Sequence, residues 1–200
     1  MVRRVVVALL GPVTWSPPGV ELTQWRTALA EDVVDLLATL AEVETALAVT
    51  PADRWLADAV RWPDTPVHEV PEPTVTAALA ALDGYDQAAV VAADAPDLPG
   101  LTLGKLLRPL TSRPVAVAPV EGGGAGLLGV ACRLPVPGWL PALDLDVAGP
   151  ADLRRAAPAP TDVAVTPGWH RLRGPADLAA LDPAVEGWEA TRALLSGHRP

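Results

Sequence analysis

A short apolar run that ends in an acid and a proline turn constrains this chain more than any other feature. Ala88–Ala93 is continuous and apolar, as befits a strand buried on both faces of a parallel sheet. Asp94 ends it, followed by Ala95-Pro96-Asp97-Leu98-Pro99. A charge at the carboxyl end of a buried strand sits where open α/β sheets place their ligands. Thr102 is placed to cap a helix to about Leu110, and Pro114–Ala118 reads as the next buried strand. Glu121-Gly122-Gly123-Gly124 follows, a loop whose backbone can approach a ligand because little projects from it. Leu127–Val130 is a third apolar run.

Upstream the same alternation holds. Val5–Leu10 predicts a first strand and Gly11–Gly19 a Pro/Gly-rich loop. Gln24–Val43 is helical in period, with Trp25, Leu29, Val33, Leu36, Leu37 and Leu40 on one face. Thr45–Thr50 predicts a strand, Thr50-Pro51-Ala52-Asp53 a helix start, and Pro66–Val70 a proline-bracketed edge strand. Thr74 or Thr76 begins an Ala-rich helix to Leu82. Strand and helix in alternation predict a mostly parallel sheet with helices on both sides. Right-handed crossovers then bring the Gly11–Gly19 loop, Asp94–Pro99 and Glu121–Gly124 to one rim. In the tail, Gly-Pro-Ala-Asp-Leu occurs at 149–153 and at 174–178, two helix starts. Val163–Thr166 reads as a late strand and Gly187–Leu195 as a closing helix.

Length and charge narrow the function. Two hundred residues suit one α/β domain with a real core. The net charge of −9 argues against a protein that tracks nucleic-acid phosphates. No apolar run approaches the ~20 residues of a membrane span, and no secretory leader is evident, so the cytoplasm is expected. Cys132 lies in an apolar run and reads as a buried, inert thiol. The absence of Phe, Ile and Asn, with Lys105 the only lysine, fits a GC-rich bacterial genome. His68, His170 and His198 show no metal-ligand spacing, and no G-x-S-x-G elbow supports a serine hydrolase.

The middle third resembles a bacterial family of GT-A-type transferases labelled DUF2064, related to molybdenum-cofactor and phospholactate nucleotidyltransferases. Members carry a strand ending in D-x-P-x-L and, a helix and a strand later, P-x-x-D-G-G-Y-x-L-x-G. Asp94, Pro96, Leu98, Pro119, Gly122, Gly123, Leu128 and Gly129 match, whereas Glu121 replaces the family's Asp. The resemblance implies a single three-layer α/β/α domain of GT-A type over 1–200, with a nucleotide-binding core at 1–130 and a C-terminal part at 131–200. It implies a nucleotide or nucleotide-sugar donor, a small-molecule acceptor, and Mg²⁺ or Mn²⁺ on Asp94, with Asp97 as its catalytic neighbour. Holding a diphosphate leaving group calls for such a metal, for basic side chains, and for glycine-loop amides. Gly19, Thr23, Arg26 and Glu121–Gly124 are the implied donor-binding residues.

Two departures stand out. After strand one the family shows P-x-P-G-x-V-K-T-R-L. Here Pro18, Gly19 and Thr23 keep register, but Leu22 and Gln24 replace the phosphate-gripping Lys and Arg. Arg26 is two residues on. Near the tail, relatives carry D-x-D-T-P-x-D-L, whose acids can serve the metal. Either 169–178 aligns there, putting Arg171 and Arg173 at the acidic positions, or Asp144-Leu145-Asp146 retains two acids. A catalytically degenerate relative that binds a ligand or a protein is the alternative to an active transferase. If Asp94 holds a metal, Asp94→Asn removes the metal's benefit and shifts melting by only a few degrees.

Overall fold

The computed structural model describes residues 2–122 and 125–197. Its strands are β1 (Arg4–Leu9), β2 (Glu44–Val49), β3 (Val67–Glu69), β4 (Gln87–Ala92), β5 (Val115–Pro119), β6 (Leu127–Arg133) and β7 (Val163–Val165). The helices are α1 (Leu22–Ala38), α2 (Arg54–Val60), α3 (Val75–Ala80), α4 (Gly100–Leu107), α5 (Pro150–Ala156) and α6 (Glu189–Gly197). The strands form one seven-stranded sheet in the order β3-β2-β1-β4-β6-β5-β7. β6 runs antiparallel to both neighbours, β4 and β5, and every other pairing is parallel. This is an α/β fold with helices packed on a mostly parallel sheet.

The pleat explains the layers. Val6, Ala8 and Leu10 project to one face and meet Ala30, Val33 and Leu37 of α1, Leu56 of α2, and Leu103 and Leu106 of α4. Val5, Val7 and Leu9 project to the other, toward Val75, Ala78 and Leu79 of α3 and Leu153 of α5. Each fully buried Val or Leu contributes about 1.5–3 kcal/mol over leaving it in water. β4 and β1 are therefore apolar at nearly every position. A third cluster joins Trp25 and Leu29 of α1 to Leu172 and to Leu194 and Leu195 of α6.

Several boundaries differ from the sequence expectation. α1 ends at Ala38 although the apolar period runs on: Thr39 caps it, its Oγ1 donating to Leu36 O (2.7 Å), and Glu42 turns the chain at φ 64°. Thr102 does not cap α4. Pro99 takes that place, and Thr102 sits buried inside the helix. The second Gly-Pro-Ala-Asp-Leu makes only a 3₁₀ turn, Pro175–Ala180. The two copies share one device: Asp152 Oδ2 accepts from Gly149 N (3.0 Å), and Asp177 Oδ2 from Gly174 N (2.8 Å). Cys132 lies within β6, where burial pushes its thiol pKa up to about 12, an inert group.

Candidate functional site

The carboxyl ends of β1 and β4 open into a small cleft with a cavity volume of about 50 Å³. Leu9–Val13 at the end of β1 and Ala92–Asp94 at the end of β4 line it. Asp144–Asp146 and Arg171 come from the C-terminal part, and Arg26 and Ala30 from α1. A cleft where strands end and the chain diverges to either side is where this class of sheet binds ligands.

Asp94 is at the base, buried to 4% exposure. Both its oxygens are taken by Arg171, with Nε donating to Oδ1 (2.6 Å) and Nη2 to Oδ2 (2.8 Å). The same Nη2 lies 2.8 Å from Asp146 Oδ1, and Nη1 donates to Leu127 O and Leu145 O (3.2 Å each). Burial disfavours the charge on Arg171, but Asp94 and Asp146 outweigh it and hold its pKa above the usual value. Four guanidinium N–H groups thus have hydrogen-bond acceptors, and Asp146 adds an ion pair at Nη2. Asp144 shapes the turn beside it, Oδ1 accepting from Asp146 N (2.8 Å).

The segment carrying Arg171 is fixed by the backbone. Val120 and Trp169 form a parallel bridge, Glu121 N donates to Trp169 O (3.0 Å), and Leu172 N donates to Asp94 O (2.8 Å). Gly168 permits this approach, because a Cβ there would overlap the Pro119 carbonyl. Asp97, 1% exposed, is tied to the same segment: Trp169 Nε1 donates to its Oδ1 (3.1 Å). His170 Nε2 lies 2.8 Å from that oxygen without the alignment of a hydrogen bond. His170 Nε2 and Asp97 Oδ2 are therefore both buried without a hydrogen-bond partner. Asp97 is not among the cleft-lining residues.

Arg26 is the other cation of the cleft. Nη1 donates to Asp53 Oδ1 (2.8 Å), Nη2 makes a long contact with Gly11 O (3.4 Å), and the guanidinium lies 5.4 Å from the Trp55 ring centre. Its Nε is buried with no hydrogen-bond partner. The remaining sequence candidates lie elsewhere. Gly19 turns the chain at φ 81° before α1, and Thr23 is exposed on the first turn of that helix. Glu121 and Gly122 are exposed after β5, on the same rim but outside the cleft lining, and Gly123 and Gly124 fall outside the described residues. Asp53 carried no signal in the sequence. Asp146 and Arg171 did, as the two competing alignments of the tail; the fold brings both to Asp94.

The residues present do not suit Mg²⁺ or Mn²⁺ as arranged, since Asp94 and Asp146 already share a guanidinium. Among the described residues, no group of three or more His, Cys, Asp or Glu is placed to hold a metal.

No protein-family model and no curated protein sequence matches the chain. Solved structures do, over nearly its whole length. A Desulfovibrio desulfuricans G20 protein provisionally named a nucleotide-diphospho-sugar transferase superposes with a TM-score of 0.63 at 18% identity, covering 98% of this chain and 96% of that one. Rv0371c of Mycobacterium tuberculosis H37Rv gives 0.62 at 17%, covering 98% of each, and has also been crystallised with manganese. The 4-diphosphocytidyl-2C-methyl-D-erythritol synthase of Anaerococcus prevotii gives 0.61 at 12%, covering 97% and 96%. The chain has the nucleotide-diphospho-sugar transferase-like fold. At these identities the likeness speaks for the fold alone.

Proposed function

We propose that the rim cleft binds a nucleotide or nucleotide sugar, and that the chain is a glycosyl- or nucleotidyltransferase-like protein acting on a small-molecule acceptor. The observation that carries this reading is Arg26: a half-buried cation, 13% exposed, lining a cleft at the strand ends of a fold shared with proteins named as a nucleotide-diphospho-sugar transferase and a diphosphocytidyl-methylerythritol synthase. Residues 1–200 are read as one such domain, working in the cytoplasm without nucleic-acid or membrane partners. Among the described residues, no helix is long and apolar enough to cross a membrane. Arg26 grips the ligand's phosphate, and the Gly11–Val13 backbone flanks it.

A second reading has its own support. Asp94 is closed off by Arg171, and Leu22 and Gln24 stand where the resemblance expects a basic pair. Both favour a relative that keeps the cleft for binding and has lost transfer, or serves as an interaction module. Calorimetric titration with nucleotides and nucleotide sugars, with and without Mn²⁺, tests the common core. Expected is binding near 1 mM or tighter, about −4 kcal/mol or better, weakened by Arg26→Gln. No binding by any member of the panel would sink the nucleotide reading.

A further inference from the structure

Five oxygen acceptors converge on the Arg171 guanidinium: both carboxylate oxygens of Asp94, one of Asp146, and the carbonyls of Leu127 and Leu145. Carboxylates with backbone carbonyls are the donor set that a hard divalent cation takes. The segments supplying them, at 94, 127 and 145–146, are well apart in sequence, and all three converge on this positive charge. We propose that Arg171 is the resident cation of this site, occupying the place of a divalent metal between Asp94 and Asp146. The inference concerns the cluster itself and stands whether or not the cleft's ligand is a nucleotide.

Two consequences distinguish a guanidinium from a metal ion. First, its charge of +1 leaves the two carboxylates with a net −1, where a divalent ion would neutralise them. A polyphosphate therefore meets a weaker attraction here than a metal would supply. Second, a metal keeps positions open for ligand oxygens, whereas Arg171 has four N–H groups in hydrogen bonds and the fifth facing Asp146, which leaves it little to offer a ligand. Arg171 organises the floor of the cleft; phosphate contact falls to Arg26. Metal removal accordingly leaves binding in the cleft unchanged.

The alternative is an ordinary buried ion pair with no metal-like geometry behind it. Paramagnetic resonance of Mn²⁺ titrated with protein separates the two, in the natural chain, Asp94→Asn, Arg171→Ala, Arg171→Met and the double variant Arg171→Ala/Asp94→Asn. Thermal melts across the same Mn²⁺ series accompany it. The natural protein should leave the free-Mn²⁺ signal intact and its melting temperature unmoved. Arg171→Ala or Arg171→Met should take up Mn²⁺ at least about tenfold more tightly, gain melting temperature with Mn²⁺, and lose both effects when Asp94 is also replaced. Mn²⁺ uptake by the natural protein that Asp94→Asn abolishes would overturn the proposal. So would failure of both single variants to bind Mn²⁺ or to gain stability from it.

Discussion

A buried guanidinium shared by two carboxylates sets the behaviour of Asp94. Had the residue been a metal ligand at an open rim, Asp94→Asn would be a functional change with a small effect on melting. In the structure its two oxygens hold Arg171 at 2.6 and 2.8 Å, and both partners are buried. Removing one member strands a charge away from water, which costs about 3–5 kcal/mol. Asp94→Ala is therefore expected to lower the melting temperature by roughly 6–20 °C for a chain of this size, measurable by calorimetry. A change under about 3 °C would show that Arg171 is not held as described. The cost arises from Arg171 losing its buried carboxylate and keeping only the half-exposed Asp146, so Asp94→Ala/Arg171→Met should recover much of it.

At the scale of elements, α1 explains why the loss of the basic pair is only half a loss. Arg26 and Ala30, one turn apart, face the cleft, and Leu22 lies one turn before Arg26 on the same stripe. Gln24 is two residues from Arg26 and points elsewhere. Leu22→Lys should then tighten nucleoside diphosphate binding about tenfold or more, from one charge-assisted contact of roughly 1.5–3 kcal/mol. Gln24→Arg should do nothing, and neither change should affect a nucleoside lacking phosphate. Calorimetry with the diphosphate and the nucleoside checks both. α1 also anchors the end of the described chain. Asp32, buried within it, accepts from Ala190 N (2.9 Å) and Thr191 N (2.8 Å) at the start of α6. Asp32→Ala should cost about 1–2 kcal/mol in denaturant unfolding, as the loss of a helix cap does. Burial raises the Asp32 pKa against the pull of its Thr191 and Ala190 hydrogen bonds. A carboxyl raised on folding binds its proton more tightly in the native state. Its contribution is full below the ordinary carboxylate pKa and falls as pH rises through the higher folded value. Natural protein should thus lose stability relative to Asp32→Asn across that window. A pH-independent difference would place Asp32 in a less buried setting.

At the scale of the molecule, the sheet was legible and its closure was not. Apolar runs at Val5–Leu10, Ala88–Ala93 and Pro114–Ala118 announce the central strands because a strand buried on both faces has no polar position to blur it. The reversed direction of β6 leaves no such trace, since a buried antiparallel strand reads the same in either sense. Asp94 was legible as a strand-end acid. Its partner was not assignable, because Arg171 is brought to it by a bridge between Val120 and Trp169 that no local pattern encodes. That bridge gives the last prediction. Residues 169–172 tie the ends of β4 and β5 together: Trp169 O accepts from Glu121 N, and Leu172 N donates to Asp94 O. The approach depends on Gly168, where any Cβ would collide with the Pro119 carbonyl, a backbone atom that cannot swing aside. Gly168→Ala must push the segment outward while leaving the β1–β4 pairing untouched. Hydrogen exchange should then accelerate at the amides of Glu121 and Leu172 by about tenfold or more, a local opening cost cut by about 1.4 kcal/mol. Amides of Val6–Ala8 in the central sheet should keep their natural protection relative to global unfolding. Uniform acceleration across the sheet would mean that the rim and the core open as one unit. Unchanged exchange at Leu172 would mean that Arg171 does not depend on this bridge for its place beside Asp94.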